Sequence, residues 1–479
     1  MSDPILFWNG VALEANRVSH TNLKGEQTGP TLSSRALAIV HLAMYDAYAG
    51  VINDPANLPP YIGGLTPPGA GASPDAAVAA AAHATLTNLF PSQRTFFDSI
   101  LSLAGDPSNA GHGFGVMVAQ AILNDRGGDP GAGADGYVPS PKRGRHRRDP
   151  DDPQQGFHAP FYGARSKGFG ITQRWELAAP PFDNDEYRKA LREVRGKGIA
   201  PELMGTLPNH IKPRTVDETL IGIYWGYDGA LELGTPPRLY NQIVREVAIA
   251  QGNSVGENAR LFALVNVAMA DAGILAWDQK YFHDLWRPVV GIREHDESMG
   301  PAATQADNNI SNDCDTSWLP LGAPNTNNVG AKNITPPFPA YPSGHATFGA
   351  AAFHMTRLFY GVAVNDRKPD NLFQNLDFVS DEFNGVNRDN KGTVRPRHRR
   401  NFPQGLWQMI EENGRSRVYL GVHWVFDAFA VKADNSPDLN RKVDDKYIGG
   451  VPLGLQIAED IFHAGGGKAP KKSDVGPRS

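Results

Sequence analysis

The sequence has a single cysteine, Cys314, so no disulfide can form within the chain and no CxxC metal or redox motif exists. Its neighbours in "SNDCDTSW" include two aspartates, which disfavour a thiolate, and Cys314 reads as an incidental thiol. Nowhere do 18 uncharged apolar residues run together, and the start, "MSDPILFWNG", has no basic segment leading into an apolar one. Both absences predict a soluble chain with no membrane partner and no standard signal peptide, either cytoplasmic or exported by a non-standard route. A large charge of one sign is missing too: 46 basic against 51 acidic residues leave a net charge of −5, with no global pull toward nucleic acid. Any anion site must be local. No glycine-rich dinucleotide fingerprint is read, and alternating strand patterns are scarce.

What the chain does have is helical spacing, over 479 residues with an ordinary 41% hydrophobic content. "TLSSRALAIVHLAMYDAYAGVI" (31–52) repeats apolar residues at three- and four-residue steps. "SPDAAVAAAAHATLTNLF" (73–90) adds Ser73 as N-cap, Pro74 at the first helical position and Asp75 in the first turn. Similar patterns predict helices over 237–250, 256–287, 344–360, 403–429 and 451–464. Between them run polar, Pro- and Gly-rich connections at 53–72, 126–182, 296–342 and 364–400, of a length that is usually functional or wrapped over the surface. The runs "PKRGRHRR" (141–148) and "RPRHRR" (395–400) read as solvated loop charge, with a phosphate or nucleic-acid patch as the minority alternative. Residues 465–479 read as a disordered tail, and no internal repeat is found.

Three motifs carry chemistry. In "YPSGHATFGAAAF" (341–353), Ser343, Gly344 and His345 open a helix. Ser343 could be a plain N-cap, or the free N–H groups, the hydroxyl and a glycine could cradle an anion beside a histidine. In "WDQKYFHDLWRP" (277–288), Lys280 and Arg287 are seven residues apart, within roughly 20° of one helix face. They are either exposed charges with buried stems or two buried cations that demand an anion. In "SRVYLGVHWVFDAFA" (416–430), His423 and Asp427 at i and i+4 can hydrogen-bond, which would fix the imidazole tautomer, and Arg417 has the reach to join them. Together the motifs offer what a tetrahedral oxyanion needs: permanent cations, backbone N–H donors and an imidazole.

Taken in order, Lys280-x6-Arg287-Pro288, Pro342-Ser343-Gly344-His345 and Ser416-Arg417-x5-His423-x3-Asp427 resemble the signature shared by vanadium-dependent haloperoxidases and type 2 phosphatidic acid phosphatases. "FHAPFYG" (157–163), "YWGYDG" (224–229), "NGVNRD" (384–389) and "IGGVPLGLQIAEDIF" (448–462) resemble the fungal vanadium chloroperoxidases in particular. The resemblance implies an all-α protein of two four-helix bundles, one over 1–205 and one over 206–464, with vanadate at the end of the second. It implies that Lys280, Arg287, Arg417, Ser343 and the Gly344 N–H bind the vanadate oxygens and that His423 makes the one protein–metal bond. His345 would be the acid/base toward hydrogen peroxide, Lys280 would polarise the bound peroxide, and Asp228 would pair with Arg417. Halide ions would be oxidised to hypohalous acid, which then meets small organic acceptors. Trp277 and Phe338 would wall the site, and Phe338 stands where bromoperoxidases tend to have a histidine, so chloride oxidation is expected beside bromide. The alternative is an acid phosphatase in the same pocket, with His423 as nucleophile through a phosphohistidine and His345 as acid. A homo-oligomer is left open.

Overall fold

A computed structural model describes residues 3–303 and 312–478. The first helices are α1 (Pro4–Ser19), α2 (Gly29–Ile52), α3 (Pro74–Leu89), α4 (Arg94–Ala104) and α5 (Ala110–Asp125). They are followed by α6 (Tyr162–Arg165), α7 (Asp185–Lys197), α8 (Val216–Tyr224), α9 (Pro236–Ala250) and α10 (Val255–His283). The last five are α11 (Pro288–Arg293), α12 (Gly344–Phe359), α13 (Gly405–Tyr419), α14 (Val425–Ala428) and α15 (Gly450–Ala464). Strand content among the described residues is confined to short antiparallel ladders of two-residue strands, such as Asp377–Phe378 with Arg400–Asn401. The protein is all-α, as expected.

Local chemistry explains where the helices start. The Ser73 hydroxyl accepts from the Ala76 N–H, and Thr215 with Glu218 and Ser254 with Glu257 form reciprocal capping boxes at α8 and α10. Helices α1, α2, α3 and α5 pack together, and α10, α12, α13 and α15 form a second group; α10 also lies against α2 and joins the two. By length and composition α2 and α10 are apolar enough to cross a membrane. In this fold they are interior helices: 72% and 94% of their most apolar windows are buried. Helix α7, within the 1–205 region, packs on α11, α13 and α14 of the second group.

Several expectations need correction. The helix read over 256–287 stops at His283, because Asp284 turns left-handed (φ 55°) and Arg287 becomes the N-cap of α11. Lys280 and Arg287 therefore do not share one helix face. The helix read over 403–429 breaks at 420–424, where Gly421 has φ 74°, so His423 lies in a turn and Asp427 in the separate α14. The charge-rich loops are only partly solvated: Arg143 donates to the Glu294 carbonyl, Arg147 pairs with Glu294, and Arg395 and Arg400 pair with Glu382 and Glu412. Residues 465–478 lack regular structure but are held in place. The Gly168 N–H donates to the Val475 carbonyl, the Arg478 N–H to Ala164, and Arg478 Nε to Asp278 at 2.8 Å. Finally, against the expectation of no such fingerprint, residues 131–136 (GAGADG) have the G-x-G-x-x-G spacing, but they lie in a loop with neither the preceding strand nor the following helix.

Candidate functional site

The three motifs converge at one end of the second helix group. Lys280 comes from the last turn of α10, Arg287 caps α11, and Ser343, Gly344 and His345 start α12. Arg417 lies in the last turn of α13, His423 in the turn that follows, and Asp228 in the connection from α8 to α9. The Ser343 N–H donates to the Asp427 carbonyl at 2.8 Å, which ties α14 to the start of α12. Every one of these side chains is buried or nearly so.

Asp228, Gly344, His345, Arg417 and His423 line a cavity of about 240 Å³ together with Trp277, Phe338, Phe348 and several prolines, whereas Lys280, Arg287 and Ser343 are not among its lining residues. The Trp277 and Phe338 rings pack at 4.8 Å between centroids, so both predicted aromatic residues face the site. Gly344 lies close under Trp277, where a Cβ would meet the indole at 3.3 Å. Lys280 Nζ and the Arg287 guanidinium sit 5.1 and 4.9 Å from the Phe338 ring centroid.

His423 is oriented as the sequence suggested, although not on a helix. Its Nδ1 donates to Asp427 Oδ2 at 2.7 Å, and the same oxygen accepts the Trp424 N–H at 3.0 Å. A carboxylate takes the proton-bearing nitrogen, so Nε2 keeps its lone pair, and Arg287 Nη1 donates to it at 2.9 Å. His345 Nε2 meets the Gly226 carbonyl at 2.7 Å. Carbonyls only accept, so the proton is on Nε2 and the lone pair on Nδ1. Arg417 grips Asp228 with two hydrogen bonds of 2.7 and 2.8 Å, the expected pair. Lys280 uses its three donors on carbonyls of the segment before Ser343: Pro339 and Ala340, both at 3.0 Å, and Pro342.

The electrostatics are those of a cation cluster short of anions. Burial, and then the neighbouring Arg287, pull Lys280 well below the usual lysine range, and burial brings Arg287 down to about 9. Burial lowers His345 to about 4 and, with Arg287 beside it, drives His423 well below the usual histidine range. Asp427 is raised by burial to about 7. Arg287 Nη2 and Arg417 Nε are buried donors with no partner among the described residues. A donor left unpaired in the interior is costly unless a ligand completes it. Among the described residues no group of three or more His, Cys, Asp or Glu side chains could hold a metal cation. The donor set instead fits an oxyanion such as vanadate, bound through its oxygens, with the His423 Nε2 lone pair open to the metal once Arg287 Nη1 turns from it to the anion.

Sequence reasoning missed three participants. His158, from the quoted "FHAPFYG", lines the cavity and bonds Thr31 Oγ1 at 3.0 Å. Its ring fills the space that a side chain at Gly29 would need, at 2.3 Å. The Gly226 carbonyl was invisible because backbone acceptors carry no side-chain signal. Glu382 sits behind Gly226. Cys314 takes no part: it donates to the Arg293 carbonyl at 3.3 Å, and burial raises its pKa.

Known proteins resemble this chain along nearly its whole length. Residues 2–155 match the vanadium chloroperoxidase N-terminal domain, and residues 260–434 match the VCPO second helical-bundle domain. The vanadium chloroperoxidase of Curvularia inaequalis is 36% identical, over 96% of this chain and 90% of that protein. Among solved structures, the first bacterial vanadium-dependent iodoperoxidase superposes with a TM-score of 0.63 at 19% identity, covering 95% of each chain. A holo-type bacterial vanadium-dependent chloroperoxidase gives 0.58 at 16% identity, covering 91% of this chain and 92% of that one. The structural likenesses speak for the fold, and the curated relative, matched along almost its whole length, speaks for descent. The chain belongs to the vanadium-dependent haloperoxidase family.

Proposed function

We propose that the protein oxidises bromide, and chloride as well, with hydrogen peroxide, using vanadate held in the 240 Å³ cavity. The observation that carries this reading is the pair of orphaned guanidinium donors, Arg287 Nη2 and Arg417 Nε, beside a histidine whose Nε2 lone pair is presented by Asp427. When bound, vanadate supplies a Lewis-acidic centre at which peroxide is activated without change of oxidation state.

The residues divide the remaining work. His423 Nε2 would hold the metal, with Asp427 keeping the proton on Nδ1 and Arg287 Nη1 giving up its hydrogen bond to that nitrogen. Arg287, Arg417, the Ser343 hydroxyl and the Gly344 N–H at the start of α12 neutralise the oxyanion. Lys280 acts first as charge, since a direct bond to the anion requires it to release one of its carbonyl partners. His345, depressed to about 4, is neutral at working pH and can take a proton from peroxide at Nδ1 while Gly226 holds Nε2–H. Trp277, Phe338 and Phe348 keep that end of the cavity dry, which strengthens each cation's pull.

Adding orthovanadate to metal-free protein is expected to switch on peroxide-dependent halogenation of a small β-diketone acceptor, and excess phosphate to block that reconstitution. If vanadate has no effect while a phosphomonoester is turned over quickly, the phosphatase reading takes its place.

A further inference from the structure

The turn that carries Asp228 is held in a constrained conformation. Tyr227 has φ 57°, a left-handed conformation that costs a residue with a Cβ on the order of 1–2 kcal/mol. On one side of it the Gly226 carbonyl holds His345 Nε2 at 2.7 Å; on the other, the Asp228 carboxylate grips Arg417. The orientation of the Tyr227 backbone therefore sets two site residues at once.

The segment that holds this turn comes from the far connection, 380–382. Ser380 Oγ donates to the Tyr224 carbonyl at 2.7 Å, and the Asp381 N–H donates to the Tyr227 hydroxyl at 2.8 Å. Glu382 lies beneath, fully buried. Its Oε2 accepts from Thr326 Oγ1 and from Arg395 Nη1, both at 2.6 Å. Its Oε1 packs against Gly226, where an added Cβ would lie 2.6 Å away, and has no hydrogen-bond partner among the described residues. Burial pushes the Glu382 carboxyl up to about 7, opposed chiefly by Arg395 and Thr326, while Asp228 adds to the rise.

We propose that Glu382 is a positioning residue of this site: held by Arg395 and Thr326, its carboxylate packs against Gly226 and backs the Gly226–Tyr227 turn, and so orients His345 through the Gly226 carbonyl and Arg417 through Asp228. It touches neither substrate nor cofactor. The assignment concerns the protein's own contacts and holds for either oxyanion chemistry. The competing explanation is that the Glu382–Arg395 pair merely staples the 364–400 connection.

The test uses Glu382→Gln, which keeps the shape and removes the charge, and Thr326→Val, which removes one donor to the carboxylate. The first readout is the ¹⁵N spectrum of histidine-labelled, metal-free protein, with the His345 signals assigned by their loss in His345→Ala. The wild type should show the Nε2-protonated tautomer. Glu382→Gln should shift His345 toward a tautomeric mixture, and in the vanadate-loaded enzyme kcat should fall roughly ten-fold, with a smaller change in KM for peroxide. Thr326→Val should move both in the same direction by less. If Glu382→Gln does not fold, Thr326→Val decides alone. Variants that lose thermal stability but keep the wild-type His345 spectrum and kcat would overturn the proposal and leave Glu382 a staple of the loop.

Discussion

Replacing Arg417 by lysine keeps the charge and removes the fork, and the site should distinguish the two. In the structure Nη1 and Nη2 bond both oxygens of Asp228 at 2.8 and 2.7 Å, the two side chains are 1% and 8% exposed, and Nε is left over as a buried donor. An ammonium at that place can keep Asp228 or serve the bound oxyanion, but not in the same bidentate way. Either choice forfeits at least one buried charge-assisted hydrogen bond, about 1.5–3 kcal/mol. Where the bond lost is the one to the oxyanion, that corresponds to a rise in the vanadate dissociation constant of roughly 10- to 150-fold. Isothermal titration of metal-free protein with orthovanadate at fixed pH reads this directly, with a thermal melt alongside to register the strain on Asp228. Should Arg417→Lys bind vanadate within two-fold of wild type, the bidentate geometry has no part in anion binding, and the role given to the orphaned Nε is wrong.

The two histidines should separate in the same titration. His423→Ala removes the only proposed protein–metal bond and should greatly weaken vanadate retention, whereas His345→Ala should still bind vanadate but lose peroxide-dependent turnover; equal loss of binding in both would reverse the assignment. Phe338→His places a polar ring between Trp277, Lys280 and Arg287, so it should depress chlorination more than bromination in parallel assays with the two halides. A wild-type protein that brominates but never chlorinates across acidic to neutral pH would reduce Phe338 to packing.

Residue identity and short spacing made much of the site legible. Ser343 at a helix start, the His423–Asp427 pair and the pairing of Asp228 with Arg417 all follow from local chemistry or from the motif, and the structure contains each of them. What failed was the local path between motif members. Apolar spacing runs on through Asp284 and Gly421, and nothing in periodicity marks the left-handed residues that end α10 and α13. Helix α5 was missed because its glycines read as weak helix formers; Gly115 is there because a Cβ would strike the Ala77 carbonyl at 2.1 Å, on the neighbouring α3. Helix α7, mostly charged, offers only a narrow apolar stripe of Tyr187, Ala190, Leu191 and Val194. Glu382 and His158 reach the site from connections far away in sequence, and such approaches leave no local signal.

The break at Gly421 has a consequence for how this protein comes together. A Cβ at Gly421 would lie 2.5 Å from the Gly198 carbonyl, and one at Gly198 would lie 2.3 Å from the Gly421 Cα, so two bare backbones cross there. Leu321 seals the crossing by donating to Gly198, and Gly322 by donating to Leu420. The bend that presents His423 is therefore a knot of three strands of chain drawn from remote parts of the sequence, and α13 alone cannot impose it. Contacts of such long range are made only after extensive chain closure, so His423, the histidine proposed to hold vanadate, should acquire its bearing late, when the rest of the scaffold is already assembled.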